Sequence, residues 1–243
     1  MLGTGVFMSQ SAKLRDFYDG YYNDSVATKR TVAARQSVDH LERLGGRNLG
    51  RLLDMGAGDG AVLQEIERRN IATEMDAVEI SASGIERIAF RHLSTLNAIQ
   101  SFDGETLPFE DKSFDTGIAI HVLEHVEHER QFLNELRRVS KRVFVEVPLE
   151  HTFRLQRSIA LGKPFGHINH YTFERFLNLL ETCGLKPVTA KIFPNSLAYE
   201  TFVGGPRVGT IKHAIRSTAL TVAPMIAPKL FVYLGAALCE PTK

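Results

Sequence analysis

Cysteine is scarce: Cys183 and Cys239 are the only two in 243 residues. Two thiols cannot build a disulfide framework, which points to a reducing, cytoplasmic setting. Net charge is nearly absent as well, with 29 Lys and Arg against 28 Asp and Glu. A chain of formal charge +1 has no global field to gather nucleic acid or an anionic membrane, although a local patch stays open. Long apolar runs are missing. The late apolar stretches are broken by Pro224, Pro228 and Lys229, short of the roughly 20 residues that a membrane span takes. No basic residue precedes Lys13 and no apolar core stands near the start, so no signal peptide is expected. Internal repeats, low-complexity tracts and Gly/Pro-rich linkers are not found either. What is present is ordinary for a globular protein, 44% hydrophobic and 23% charged. The length suits one large α/β domain or two small ones.

From about Leu49 to Pro148, short apolar runs alternate with amphipathic stretches. Arg51–Met55, Asp76–Ile80, Asn97–Phe102, Phe114–Ile120 and Val143–Val147 read as strands. Helices are expected over Ala61–Arg69, after a capping box of Ser83 and Glu86, and where Phe132, Leu133, Leu136 and Val139 recur at helical spacing. The fifth run is almost continuously apolar, as a strand covered on both faces should be. Such alternation argues for a parallel sheet with helices on both sides. Before this unit, Thr31–Leu44 reads as a helix closed by Gly45 and Gly46, preceded by an aromatic segment, Phe17, Tyr18, Tyr21 and Tyr22. After it come a loop-like stretch, Leu149–Tyr171, and a helix carrying Phe173, Phe176, Leu177 and Leu180 and stopped at Gly184. Two further strands, Pro187–Phe193 and Leu230–Leu238, flank helices over Ile211–Met225.

The strongest local signal is Leu52-Leu53-Asp54-Met55-Gly56-Ala57-Gly58-Asp59-Gly60, a strand running into a glycine turn and then a helix. Glycines let the backbone turn tightly and approach a ligand, and the helix start behind them offers unpaired N–H groups. Glu79, at the end of the next strand, stands 19 residues past Gly60. A carboxylate there can accept both hydroxyls of a ribose. Gly56-x-Gly58-x-x-Ala61 also satisfies a dinucleotide fingerprint, so the loop alone leaves a nicotinamide cofactor open.

The downstream residues separate the two. Asp103-Gly104-Glu105-Thr106-Leu107-Pro108-Phe109, then Ser113-Phe114-Asp115, then Leu123-Glu124-His125-Val126 follow in order. Together they closely resemble the class I S-adenosylmethionine-dependent methyltransferases, in the branch that acts on small molecules. The likeness spans roughly Leu52 to Pro148, and His167 to Leu185 is similar to a further segment of that branch. The resemblance implies a Rossmann-like domain with a mostly parallel seven-stranded sheet and helices on both faces. It places Asp54, Gly56, Ala57 and Gly58 at the methionine end of the cofactor, Glu79 on the ribose, and Ile80 beside the adenine. Asp103 and Gly104 would meet the adenine amino group, and Ile120 and His121 would line the sulfonium pocket. The turn Arg137-Arg138-Val139-Ser140-Lys141-Arg142 lacks the glycines usual in that family, in a loop remote from the cofactor.

Methyl transfer from a sulfonium mainly requires a nucleophile aligned behind the methyl group, which positioning alone promotes by about 7–11 kcal/mol. A hydroxyl acceptor would also profit from a general base, and histidine titrates near neutrality. Six of the nine histidines lie between positions 121 and 170. Of these, His125, His167 and His170 are the candidate bases or substrate contacts, while His128 reads as part of a solvated face. His125 has the competing reading of a loop anchor. His121-x-x-Glu124-His125 with a later His167 or His170 is also similar to a metal-ligand set of small-RNA 2′-O-methyltransferases and of some ubiquinone-pathway enzymes. The first ligand here is His rather than Glu, and the core motif is widespread in members without metal, so no metal is expected.

The reading is a single methyltransferase domain over residues 1–243. Residues 1–48 form a helical lid or flank, 49–148 the cofactor-binding core, and 149–243 the acceptor-side insert and last strands. Its activity would be transfer of a methyl group to oxygen or nitrogen of a small-molecule acceptor. Balanced charge speaks against a nucleic-acid partner, and a homo-oligomer is left open. The rival readings are a metal-assisted RNA 2′-O-methyltransferase, a nicotinamide-dependent oxidoreductase and a cofactor-binding partner subunit without turnover.

Overall fold

A computed structural model of the chain describes residues 24–45, 48–102, 106–162 and 166–242. The aromatic segment Phe17–Tyr22 and the pair Asp103 and Gly104 lie outside the described residues.

Helix α1 (Asp24–Gly45) leads into a repeating strand–helix series: β1 (Arg51–Met55), α2 (Ala61–Arg69), β2 (Glu74–Glu79), α3 (Ala82–Phe90) and β3 (Leu96–Ser101). Next come β4 (Phe114–Ile120), a 3-10 turn (Leu123–His125), α4 (Glu129–Val139) and β5 (Ser140–Leu149). The remainder comprises α5 (Leu155–Gly162), α6 (Phe173–Thr182), β6 (Leu185–Phe193), α7 (Leu197–Gly204), α8 (Pro206–Val222), α9 (Ala227–Leu230) and β7 (Tyr233–Pro241). All seven strands form one sheet in the order β3-β2-β1-β4-β5-β7-β6. The pairings from β3 through β5 are parallel, and β7 runs antiparallel to both its neighbours.

The alternation of strand side chains explains why both faces need cover. Leu53 and Met55 of β1 enter one apolar cluster, shared with Val143, Val145 and Phe176. Leu52 enters the other, with Leu63, Ile66 and Phe144. The α1 residues Val38, Leu41 and Leu44 close this second face. Strand order reverses between β1 and β4, and the carboxyl ends of those two strands open a crevice between them, the place where sheets of this kind bind ligands.

Several elements depart from the sequence expectation. The cap of α3 is Ser81, whose hydroxyl accepts from Gly84 N at 3.1 Å, and not the box of Ser83 and Glu86. Strand β2 ends at Glu79, so the first extended residue able to cap comes two positions earlier than the box predicts. The loop-like stretch after β5 contains α5, an exposed helix whose pattern lacks a start signal. Helix α7 was not foreseen; Ser196 caps it, accepting from Tyr199 N at 3.1 Å. The last strand starts at Tyr233 rather than Leu230, because α9 takes up the residues before it.

Candidate functional site

The glycine turn is the first half of the site. Gly56, Gly58 and Gly60 all lie at positive φ, +91°, +59° and +75°. A Cβ on Gly56 would come within 2.7 Å of Val122, so side chains are excluded there by space as well as by conformation. Gly56 N and Ala57 N both donate to Val78 O, at 2.9 and 3.1 Å, which presses the turn against β2. Glu79 holds it from the other side: Oε2 accepts from Gly58 N at 2.8 Å, and Oε1 accepts from Ser81 N at 3.1 Å and Ser81 Oγ at 2.9 Å. With about four lone-pair sites on a carboxylate, room for one further donor remains on Oε2. Asp59 ties the turn outward, pairing with Arg30 at 2.8 Å and Arg91 at 3.1 Å.

Asp54, at the end of β1 before this turn, is buried, and its Oδ2 has no hydrogen-bond partner among the described residues. Burial, followed by the neighbouring charge of Glu79, pushes its carboxyl up to about 8 against the pull of Arg30. A cation arriving beside it would restore its charge and satisfy the orphaned oxygen. The residues at this end therefore suit a ligand that carries positive charge.

The second half gathers at the ends of β4 and β5. His121 follows β4 at φ +56°, an unusual conformation for a residue with a side chain. Its backbone N–H donates to Glu146 O at 3.0 Å. Its ring lies between two buried carboxylates, Nδ1 at 3.4 Å from Glu124 and Nε2 at 3.2 Å from Glu146. The side chain is still 32% exposed, into the crevice, so a ligand can reach it. Burial opposes charging the ring, but the hydrogen bonds and charges of Glu124 and Glu146 outweigh it and raise His121 to about 10. The reciprocal effect lowers Glu146 to about 2 despite its burial, helped by His40.

Glu146 interrupts the apolar run of residues 143–149 within β5, on the same face as Phe144, toward α1. There Ser37 Oγ donates to it at 2.6 Å, and His40 Nδ1 lies 2.6 Å away with its ring stacked on Phe193 at 3.9 Å. One carboxylate thereby joins β4, β5, β6 and α1.

His125 and His167, 42 positions apart in the chain, meet edge to face at 4.8 Å. The segment after residue 165 clamps onto the 3-10 turn: Ile168 N and Asn169 N donate to Glu124 O, and Asn169 Nδ2 donates to Leu123 O and Val126 O at 2.9 and 2.7 Å. Tyr171 adds hydrogen bonds to Leu123 O at 3.3 Å and Glu129 at 2.6 Å. His167 Nδ1 lies 2.7 Å from Glu150. Burial disfavours its charge, yet Glu150 and Glu124 raise its pKa; burial lowers that of His125, against the pull of Glu124. His170 stands behind, its Nε2 3.9 Å from Glu150, and burial lowers it too. Among the described residues, Glu124, His125 and His167 offer ligand atoms within 4.8 Å of one another.

A cavity of about 370 Å³ connects the two halves. Gly56 and Gly58 line it at one end, and His121, Glu124, His125, Glu150 and His167 at the other. Asp54, Ala57, Glu79, Ile80 and His170 are outside the lining, although Glu79 holds the glycine end through Gly58 N. Sequence reasoning missed Glu124 as a structural carboxylate, Glu146 and Glu150, and the α1 residues Arg30, Ser37 and His40. The one available signal was Glu146 itself, a charge placed inside a run of β-branched and aromatic residues.

Comparison with known proteins follows the same outline. A family model described as "Methyltransferase domain" matches residues 28–190. A phosphatidylethanolamine N-methyltransferase of Cereibacter sphaeroides is 26% identical over 148 residues, covering 60% of this chain and 69% of that protein. The geranyl diphosphate C-methyltransferase of Streptomyces coelicolor A3(2), solved with Mg²⁺, geranyl-S-thiolodiphosphate and S-adenosyl-L-homocysteine, superposes with a TM-score of 0.69 at 12% identity, over 98% of this chain and 100% of that one. A Haloferax volcanii methyltransferase solved with its Trm112 activator gives 0.68 at 13% identity, over 95% and 98%. At such identities the two structures establish the shared fold.

Proposed function

The chain belongs to the methyltransferase-domain family and is an S-adenosylmethionine-dependent enzyme, and from that premise we propose that it methylates oxygen or nitrogen of a small-molecule acceptor in the cavity. The observation that carries this reading is the continuity of the cavity from the glycine turn to the histidine–carboxylate cluster. The cofactor supplies an electrophilic methyl group on a sulfonium centre. Asp54, Gly56, Ala57, Gly58, Glu79 and Ile80, with Asp103 and Gly104, hold it, and His121 borders its reactive end. The orphaned oxygen of Asp54 is where the cofactor's positive charge finds its partner.

On the acceptor side, the two facing histidines take different roles. His125, whose pKa is depressed by burial, stays neutral and is the base that accepts a proton from the acceptor. His167, whose pKa is raised by Glu150 and Glu124 against its burial, orients the acceptor. His170 backs Glu150 and is a contact of lesser weight. Residues 149–243 close the acceptor side of what we read as a single domain, 1–243.

The match to a phosphatidylethanolamine N-methyltransferase supports an amine acceptor. A metal-assisted reading has one observation in its favour, the grouping of Glu124, His125 and His167. The charge of Glu124 is already met by the imidazolium of His121, so the proposal routes no step through a metal. Dialysis against EDTA should leave the rate unchanged; a loss restored by Mg²⁺, Mn²⁺ or Zn²⁺ would replace this reading with the metal-assisted one.

The decisive experiment is isothermal titration with S-adenosylhomocysteine beside NAD⁺ and NADP⁺, followed by an acceptor screen with labelled methyl donor. Binding of the thioether alone and label transfer to amines or hydroxyls are expected. Label transferred only to carbon, or to RNA, would overturn the acceptor assignment.

A further inference from the structure

Two stretches of the chain contain no carboxylate at all, the residues between Glu150 and Glu174 and those between Glu200 and Glu240. They hold seven of the 29 Lys and Arg and none of the 28 Asp and Glu, so the rest of the chain carries the negative excess. The near-zero net charge conceals a strongly divided molecule. The fold brings these stretches side by side: Phe153 N donates to Lys229 O at 2.9 Å.

Helix α8 shows what this surface presents. Its inner face is packed on α7, for a Cβ on buried Gly209 would run into the backbone of Glu200 at 2.3 Å. Arg216 turns inward to Glu200, and His213 Nδ1 lies 2.8 Å from Asn195 O. On the outer face stand Val208, Ile211, Ile215 and Val222, each between 51% and 77% exposed. At about 100° per residue, these four fall within an arc of roughly 60°, opposite the packed face. Exposed Arg207 and Lys212 border the stripe on its two sides. Exposed Met225 and Ile226 continue it beyond the helix toward Lys229, and Phe153 joins across the contact with that lysine.

A helix whose outer face met only water would carry polar residues there. An apolar stripe bordered by cations, on a stretch of chain that holds no acid, is the pattern of a helix that lies in the headgroup layer of a membrane. No helix among the described residues is long and apolar enough to cross one. We propose that α8, α9 and the segment around Phe153 form a docking surface for an anionic lipid bilayer, with the apolar stripe inserted and the flanking cations at the phosphates. His167 and Val232, which line the cavity, belong to the same two acid-free stretches. The proposal rests on the surface and stands apart from the reaction assigned above.

The test is co-sedimentation of the full chain with phosphatidylcholine vesicles, with and without phosphatidylglycerol. Sedimentation with the anionic vesicles is expected, weakened several-fold by salt and by omission of phosphatidylglycerol. The double variant Ile211→Asp/Ile215→Asp should lose at least ten-fold in partitioning, and Lys212→Ser/Lys229→Ser about five-fold per cation removed. Both should keep the wild-type circular dichroism spectrum and S-adenosylhomocysteine binding. If the aspartate variant unfolds, the serine variant decides alone. Absence of binding to anionic vesicles overturns the proposal, as does equal binding by the serine variant. A wild-type dimer in light scattering that the aspartate variant dissociates would reassign the stripe to a contact between two copies.

Discussion

The two ends of the cavity are built on different principles. The glycine end is made of backbone: positive-φ glycines, amides donating to Val78, and one carboxylate, Glu79, bonded to N–H groups nearby in space. The histidine end is made of side chains drawn from α1, β4, β5 and the segment after residue 165, with charges that compensate one another. Each end keeps one buried carboxylate oxygen without a hydrogen-bond partner among the described residues, Asp54 Oδ2 and Glu124 Oε2, and the difference lies in how the acid's charge is met. The glycine end holds a buried acid, Asp54, without a partner for one oxygen, as befits a site awaiting a cationic ligand. At the other end His121 already bridges its carboxylates, which suits a site that must keep its geometry while an acceptor enters.

The largest effect should come from breaking the backbone end. Gly58→Val, at φ +59°, and Glu79→Ala, which frees Gly58 N, are each expected to abolish S-adenosylhomocysteine binding in calorimetry while the dichroism spectrum persists. Normal binding by both would mean the cofactor sits elsewhere. At the side-chain end the signature should be the opposite. His125→Gln should lower kcat by about 10²–10⁴-fold with an oxygen acceptor and leave thioether affinity within a few-fold. A parallel loss of affinity would show that the two ends are not separable.

Next in size is the buried network. Glu146→Gln strands His121 and His40, at a cost on the order of 3 kcal/mol in urea unfolding. The pH dependence follows from the shifts. Glu146, held at about 2, contributes stability that is present above its ordinary 4.5 and lost as pH falls toward 2. His121, raised to about 10, contributes stability that is fully present below 6.5 and lost as pH rises to 10. Unfolding free energy should therefore decline from pH 6.5 toward 10, and His121→Gln should flatten that slope. A decline of the same size in this variant would remove His121 as its source.

Asp54→Asn sharpens the contrast between the ends. With its carboxyl raised to about 8, Asp54 costs the ligand-free fold stability as pH climbs from 3.8 to 8. The asparagine variant should be more stable at pH 8, on the order of 2 kcal/mol, and bind S-adenosylmethionine more weakly. Unchanged affinity would detach this acid from the cofactor. The smallest effect is expected from Asn169→Ala, about 1–2 kcal/mol for the hydrogen bonds to Leu123 O and Val126 O, with a modest fall in turnover through His167.

The ease of reading each end from sequence follows the same division. Asp54 to Gly60 and Glu79 announce themselves because a glycine turn between a strand and a helix is a local event, governed by φ and by short-range spacing. The bounds of β1, α2 and β4 agree with the sequence pattern for the same reason, since the pattern of buried residues runs within each element. Helix α7 and the cap at Ser81 escaped because weak, short signals there are settled by what packs against them. His125 and His167 were both legible as candidates, but nothing in the chain said that they face each other.

The sequence by itself determined the alternating strands and helices, the cofactor loop with its acidic partner, and the acid-free stretches of the C-terminal third. These are properties of neighbours, fixed by periodicity, backbone freedom and charge count. Only the tertiary structure decided that Glu146 collects His40, Ser37 and His121, that residues 166–171 lock onto the 3-10 turn, and that the acid-free stretches meet where Phe153 N donates to Lys229 O. Those pairings join residues up to about a hundred positions apart. Hydrogen bonding and ion pairing act over a few ångströms, so they belong to the packing of the sheet and its helices, which no local pattern encodes.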